Sequence, residues 1–339
     1  MPRKKRKHTR ANSFAGIRLA LMSVLLLAIL IVAALVLGLG VYFSYSALQS
    51  QWLGIEPYRI LVLEQDDQTL QRVNSIHVMP DKREVVVLET PLDTQIPVAG
   101  GYGKYAIDAL PKLGQIEGVG DKMLVKSMER LLGVQFQAVL YRQTPAKPRA
   151  IDTSFIGSIA NALVAAKFSD AQSFYDAVVI SRQLKTFANR KLQIVSFDQA
   201  GLLQKVDVVD GVTATVADEL QLNRVIAKDI VASDPQLAAV SVVLENTTGH
   251  AGLAAYWGRF VAHAGYDVMR LIDASTPVKK TQLVFSSQAL LNSSEGVLLQ
   301  RLFPDNETLV ASTQDYRSDV VIKLGEVAFT KASSKEAFN

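Results

Sequence analysis

The chain has 339 residues, 49% of them hydrophobic, a net charge of +4 and no cysteine. Without thiols there is no disulfide, thiolate nucleophile or zinc–thiolate site, and four histidines (His8, His77, His250 and His263) argue against a histidine metal cluster. The positive balance is local: residues 1–18 carry seven Lys/Arg and no acid, whereas the rest holds 29 basic and 32 acidic residues, so no basic face for nucleic acid is indicated.

Leu19 to Tyr45 are 27 consecutive uncharged, mostly apolar residues. At about 1.5 Å per residue this run spans a hydrocarbon core of roughly 30 Å as a helix. Basic residues before it hold the N-terminus inside and place the C-terminal domains outside the cytoplasmic membrane. The lipid bilayer is the first expected partner, and the tail suits anionic inner-leaflet lipid. A signal peptide has an apolar stretch of only about 7–15 residues; cleavage near Ser44, Ser46 and Ala47 is the alternative. The division is thus a basic tail (1–18), a transmembrane helix (19–45) and a stalk (46–57).

Arg59–Glu64, Asn74–Met79 and Glu84–Glu89 are predicted strands, the last two joined as a hairpin by the turn chemistry of Pro80–Arg83. Thr90–Lys104 is predicted as a loop and a helix is expected from Tyr105. Asp121 is placed as the N-cap of a helix carrying Met123, Leu124, Met128, Leu131 and Leu132 and ended by Gly133. Next come a strand at Phe136–Arg142, helices at Ile151–Lys167 and Asp170–Ala188, a strand at Leu192–Phe197 and a helix at Val216–Ala232. Strands separated by helices indicate an α/β domain over residues 58–232.

From 238 to 326 the order β-α-β-β-α-β fits a small two-layer domain: strands at Ala239–Leu244, Tyr266–Leu271, Thr281–Phe285 and Val320–Leu324, helices at Gly249–Ala264 and Gln288–Leu302. Residues 327–339 are expected to be a frayed polar tail. On the first of these helices Tyr256 and Phe260 are i, i+4 and expected in the core. Trp257 is placed as exposed, where it can stack on a sugar.

The segments VSVVLENTTGHAGLA, AGYDV and DVVIKLG resemble the C-terminal domain of LytR/CpsA/Psr proteins of bacterial envelopes. Thr247 stands where the family's turn has its first Gly. Residues 59–230 resemble a reduced LytR/CpsA/Psr catalytic domain: Glu89-Thr90-Pro91-Leu92-Asp93-Thr94 stands in place of the family's Ser-Ile-Pro-Arg-Asp-Thr motif, and Lys104–Ala109 and Leu131-Leu132-Gly133 match more loosely. The expected fold class is therefore α/β, with one transmembrane helix, a reduced LytR/CpsA/Psr-like domain and a βαββαβ C-terminal domain.

The resemblance implies transfer of a phosphoglycan from a polyprenyl pyrophosphate carrier to peptidoglycan, and here the chain departs from it. A pyrophosphate needs fixed cations, and Arg supplies a permanently charged fork. The motif Arg is Leu92, and Thr144–Ser181 has no counterpart of the family's Arg-rich stretch. Asp93 survives. With Asp66 or Asp67 it offers a Mg²⁺ site; the plainer reading is a polar turn after a strand. Lys104 is a phosphate contact or a solvated loop lysine.

The expectation is a single-pass envelope protein that binds a cell-wall glycan such as peptidoglycan, another envelope glycopolymer or a protein partner, without transferase activity and with no cofactor. A divergent Mg²⁺-dependent phosphotransferase is the alternative. It requires Arg59, Lys104, Arg142, Arg182 or Lys185 to converge on Asp93. A third possibility is an assembly protein self-associating through its C-terminal domain.

Overall fold

The computed structural model describes residues 11–48, 52, 54–66, 69–143, 150–167, 171–208, 212–231, 234–274 and 276–333. Asp67, Lys147, Arg149, most of the basic tail and the last six residues lie outside them. The chain is mixed α/β. Helix α1 (Ala11–Leu48) contains the exposed apolar segment Val24–Tyr42, long and apolar enough to cross a membrane.

Strands β1 (Tyr58–Asp66), β2 (Thr69–Met79) and β3 (Glu84–Thr90) form an antiparallel meander, with Arg83 at φ 51° in the β2–β3 turn. β6 (Ala138–Gln143) adds parallel to β1, and β7 (Leu192–Ser196) parallel to β3, giving the order β6-β1-β2-β3-β7. Both faces are covered, which is why RILVLE and VVVL are continuous apolar runs rather than alternating ones. On one face Leu61, Leu63, Val73, Val86 and Leu88 pack with Met123, Leu124 and Met128 of α3 (Lys122–Leu132). On the other, Ile60, Val62, Ile76, Val85 and Val87 pack with α4 (Thr153–Lys167) and α5 (Ala171–Arg190).

The span expected as a loop holds β4 (Gln95–Pro97) and β5 (Lys104–Ala106), paired around Gly100, Gly101 and Gly103, all at positive φ. Strands of three residues leave no periodicity to detect. The helix expected from Tyr105 begins later: α2 is Leu110–Ile116, with Pro111 in its first turn, where a missing N–H costs nothing. Asp121 precedes α3 without a side-chain capping bond, whereas Gly133 ends it at φ 63° as expected. The helix expected over Val216–Ala232 is also corrected. Strands β8 (Leu203–Val208) and β9 (Val212–Ala217) form a hairpin, completing a second sheet β5-β4-β9-β8. Asp218 then accepts from Leu220 and Gln221 N–H (3.0 and 3.1 Å), so α6 starts at Glu219 (Glu219–Val225).

After the short α7 (Pro235–Ala238) comes a third sheet. It is built from β10 (Ser241–Asn246), β11 (Asp267–Asp273), β12 (Gln282–Phe285), β13 (Glu307–Val310) and β14 (Val320–Leu324), in the order β11-β10-β14-β12-β13. β13 is additional to the expected order. The helix expected over Gln288–Leu302 is split into α9 (Gln288–Leu291) and α10 (Ser294–Leu302), because Ser287 and Ser293 each cap a new start. Helix α8 (Leu253–His263) covers the sheet. Residues 326–333 are not a frayed tail. They form α11 (Glu326–Ser333), with Ala328 and Ala332 buried in the same core.

Buried polar contacts join the first and third sheets. Arg59 Nη2 donates to the His263 carbonyl (2.9 Å), His263 Nδ1 bonds the Leu132 carbonyl (2.9 Å), and Arg259 bonds the Arg130 carbonyl. Gly133 lies in this seam: a Cβ there would sit 2.7 Å from Arg259 Nε and 2.8 Å from His263 Nδ1.

Candidate functional site

The motif region closes one end of the first sheet. Thr90 ends β3, and Pro91 to Thr94 form a turn closed by Thr94 N–H to the Pro91 carbonyl (3.2 Å). Leu92 is half-buried and packs on the core beneath. Asp93 is exposed in this turn. A cleft of about 280 Å³ opens beside it, lined by Gln71, Arg72, Glu89, Thr90, Pro91, Leu92, Ser196 and Asp198.

Strand pairing explains why these side chains meet. Glu64 is opposite Arg72 across β1–β2 and opposite Arg142 across β1–β6. Asn74 is opposite Glu89 across β2–β3, and Glu89 is opposite Ser196 across β3–β7. Side chains alternate faces along a strand, so Arg72 shares its face with Asn74. A polar band thus crosses the end of an otherwise apolar sheet.

Arg72 is the one cation lining the cleft among the described residues, and it is shared. Its guanidinium lies 3.8 Å from Glu64 and 3.9 Å from Glu89. Arg142 is 3.5 Å from Glu64 and stands over the Phe155 ring at 5.3 Å. With Asp198 and Glu89 against Arg72, the lining carries more negative than positive charge. A dianionic group would have to displace carboxylates from that guanidinium, and burial amplifies the repulsion.

Two further groups are held without partners. Asn74 is fully buried with neither amide atom hydrogen-bonded, and the buried Thr90 hydroxyl is also unpaired. Each such group costs about 1–3 kcal/mol when left unmade.

The other cations lie elsewhere. Arg59 is fully buried in the seam with the third sheet, and burial lowers its pKa to about 10 against the opposing pull of Glu56. Lys104 is exposed on β5, opposite Pro97. Arg182 is exposed on α5, and Lys185 there donates to Asn161 (2.8 Å). None of these, nor Arg142, lines the cleft. Asp66 is exposed at the end of β1, and Asp67 is outside the described residues. Among the described residues no group of three or more His, Asp or Glu comes together to hold a metal.

The placement of Trp257 on an exposed face is corrected. It is 7% exposed, its Nε1–H donates to the Ala328 carbonyl (3.2 Å), and its ring packs on Phe303 (4.9 Å between centroids). Helix α11, unforeseen in the sequence, covers it. Phe260 is buried and Tyr256 half-buried beside it, 5.1 Å between centroids, as their spacing implied. Arg72, Asn74, Glu89, Ser196 and Asp198 do not stand out in the sequence as a motif. Their signal is fainter: polar residues at the same end of neighbouring apolar strands.

No known family's sequence profile and no curated protein sequence matches the chain. Among solved structures, the fold is similar to that of Bacillus subtilis TagT, at 13% identity and a TM-score of 0.35, covering 52% of this chain and 90% of that one. It is also similar to the LytR-CPS2A-psr family protein YwtF (TagT) with bound octaprenyl pyrophosphate lipid, at 14% identity and a TM-score of 0.34, covering 51% and 88%. A third is B. subtilis TagV, at 12% identity and a TM-score of 0.35, covering 50% and 94%. The family resembled by the sequence is thus among these structures. At such identity and TM-score the likeness says nothing of chemistry, which rests on this chain's own residues.

Proposed function

We propose that this chain is a single-pass membrane-anchored protein of the bacterial envelope, of LytR/CpsA/Psr type. Its extracytoplasmic part binds a cell-wall glycan or an envelope partner and does not transfer glycopolymer. The single observation that carries this reading is Leu92. It occupies the position of the motif Arg, and the one guanidinium lining the cleft beside it, Arg72, is already shared between Glu64 and Glu89. Transfer from a lipid pyrophosphate needs fixed positive charge at the leaving group, and this end of the sheet supplies a carboxylate-rich lining instead.

The basic N-terminal run and the exposed apolar segment of α1 support the anchor, with the three sheets outside. The phosphotransferase alternative requires cations gathered on Asp93. Arg59, Arg182 and Lys185 are placed in the seam and on α5, and Lys104 on β5, which weighs against it. Self-association through the third sheet is a separate reading with no specific observation in its favour.

The test is retention of the full-length chain, in detergent, on purified peptidoglycan sacculi, with size-exclusion mass measured in parallel. Saturable retention is expected. A chain that passes through unretained, and forms a discrete oligomer, would replace glycan binding by assembly.

A further inference from the structure

The cleft beside Leu92 has chemistry of its own. Its lining offers two carboxylates, Glu89 and Asp198, one shared guanidinium, Arg72, and the hydroxyls of Thr90 and Ser196. The Thr90 hydroxyl is buried and has no hydrogen-bond partner. Buried polar groups without partners are rare in folded proteins and call for a cause. Here one of them, the Thr90 hydroxyl, lines the cavity itself. Leu92 and Pro91 supply an apolar wall.

We propose that this cleft is a subsite for one uncharged hexopyranose unit of a glycan. The inference rests on the glycan-binding reading above and gives it a place. A pyranose presents adjacent hydroxyls that each donate and accept, which matches carboxylates as acceptors and the unpaired Thr90 hydroxyl as both. Its C–H face suits Leu92. At about 280 Å³ the cleft lies at the small end of ligand pockets, with room for a single ring. The charge balance selects against phosphorylated ligands, because Glu89 and Asp198 outnumber Arg72 and no second cation among the described residues lines the wall. Replacing Arg by Leu92 therefore does more than remove a function: it exchanges an anion contact for a sugar-facing wall.

The experiment is calorimetric titration of the full-length chain in detergent with three uncharged probes (N,N′-diacetylchitobiose, lactose and maltose) and, separately, with inorganic pyrophosphate. Three variants accompany it: Glu89→Gln, Asp198→Asn and Ser196→Trp. At least one sugar is expected to bind saturably and pyrophosphate not to bind. Each amide variant should weaken the sugar about tenfold, the effect of losing one hydrogen bond to a charged group. Ser196→Trp should block the cleft. Asp198 is exposed, so its variant keeps the test independent of folding, and unchanged unfolding midpoints check the others. Pyrophosphate binding in preference to all three sugars would overturn the proposal, as would sugar binding indifferent to all three variants. Sacculus retention that survives all three variants would sink this subsite while leaving glycan binding elsewhere intact. Failure of the unmodified chain to bind sacculi would instead sink the reading beneath it.

Discussion

The Arg72 guanidinium lies 3.8 Å from the Glu64 carboxylate, in the polar end of an otherwise apolar sheet. That pairing ties up the positive charge beside Leu92. Arg142 adds a second cation to the same carboxylate at 3.5 Å, so Glu64 is held between two guanidiniums, of which only Arg72 lines the cleft among the described residues.

Adding positive charge to the cleft should create anion binding. In Leu92→Arg combined with Glu89→Gln, the new guanidinium reaches the cleft and Arg72 loses the Glu89 carboxylate. Inorganic pyrophosphate should then bind measurably by calorimetry, with binding that weakens as salt rises. Leu92→Arg alone should show a smaller effect, because Glu89 remains to pair with the new cation. If the double variant binds no better than the unmodified chain, cation supply is not what this site lacks.

The seam between the first and third sheets depends on a glycine. Gly133 has φ 63° and no room for a Cβ against Arg259 and His263. Gly133→Ala combines a left-handed backbone with a forced displacement of both side chains. The expected loss is at least about 2 kcal/mol in urea unfolding. A variant as stable as the original would show that the seam is loosely packed.

Stability should fall in acid through His263. Burial, with Arg259 and Arg59 nearby, lowers its pKa to about 4, against the opposing hydrogen bond to the Leu132 carbonyl. The unfolded chain takes up its proton near pH 6.5. The folded state therefore binds fewer protons between those values, and its stability is fully present above about pH 6.5 and declines as pH drops toward 4, by up to about 3 kcal/mol. Fully buried His77, beside Arg59, is also lowered by burial and acts in the same direction. Glu56, raised by burial, acts oppositely, since its folded form keeps a proton to higher pH. Urea midpoints at pH 7 and 4.5 should differ clearly in the unmodified chain and less in His263→Asn. Equal slopes would remove His263 from the balance.

Helix α11 should report on Trp257. Deleting residues 326–339 removes the Ala328 carbonyl that accepts from the indole, and the Ala332 carbonyl that accepts from Arg130 Nη1 (3.2 Å). Trp257 fluorescence should shift to the red, and the melting temperature should fall by several degrees, consistent with the loss of two hydrogen bonds and part of a core. An unshifted spectrum would mean that the helix does not shield the ring.

The sequence reveals the parts whose signal is local and long. The apolar run of α1, the β2–β3 hairpin with its Pro80–Arg83 turn and the amphipathic α3 ended by Gly133 are legible in the residues themselves. The β4–β5 pair is not, because three-residue strands have no period. The β8–β9 hairpin is legible, although the helical reading of Val216–Ala232 passes it over. Val212 to Val216 alternates, and Asp210-Gly211 before it is a turn signal. Trp257 is misplaced from sequence because its burial depends on α11, some seventy residues onward. The cleft is half legible: Leu92 stands out in a motif with Asp93 beside it, whereas Arg72, Glu89 and Ser196 meet only through register.

Glycopolymer transfer from a lipid-pyrophosphate donor in the presence of Mg²⁺, assayed with the full-length chain, is the most direct measurement of all. Leu92 and the shared Arg72 lead to no turnover above a protein-free control, and to no change on Asp93→Ala. Robust turnover that disappears in Asp93→Ala would contradict this: the chain would then gather enough positive charge from elsewhere to hold the pyrophosphate, and its chemistry would be that of a transferase.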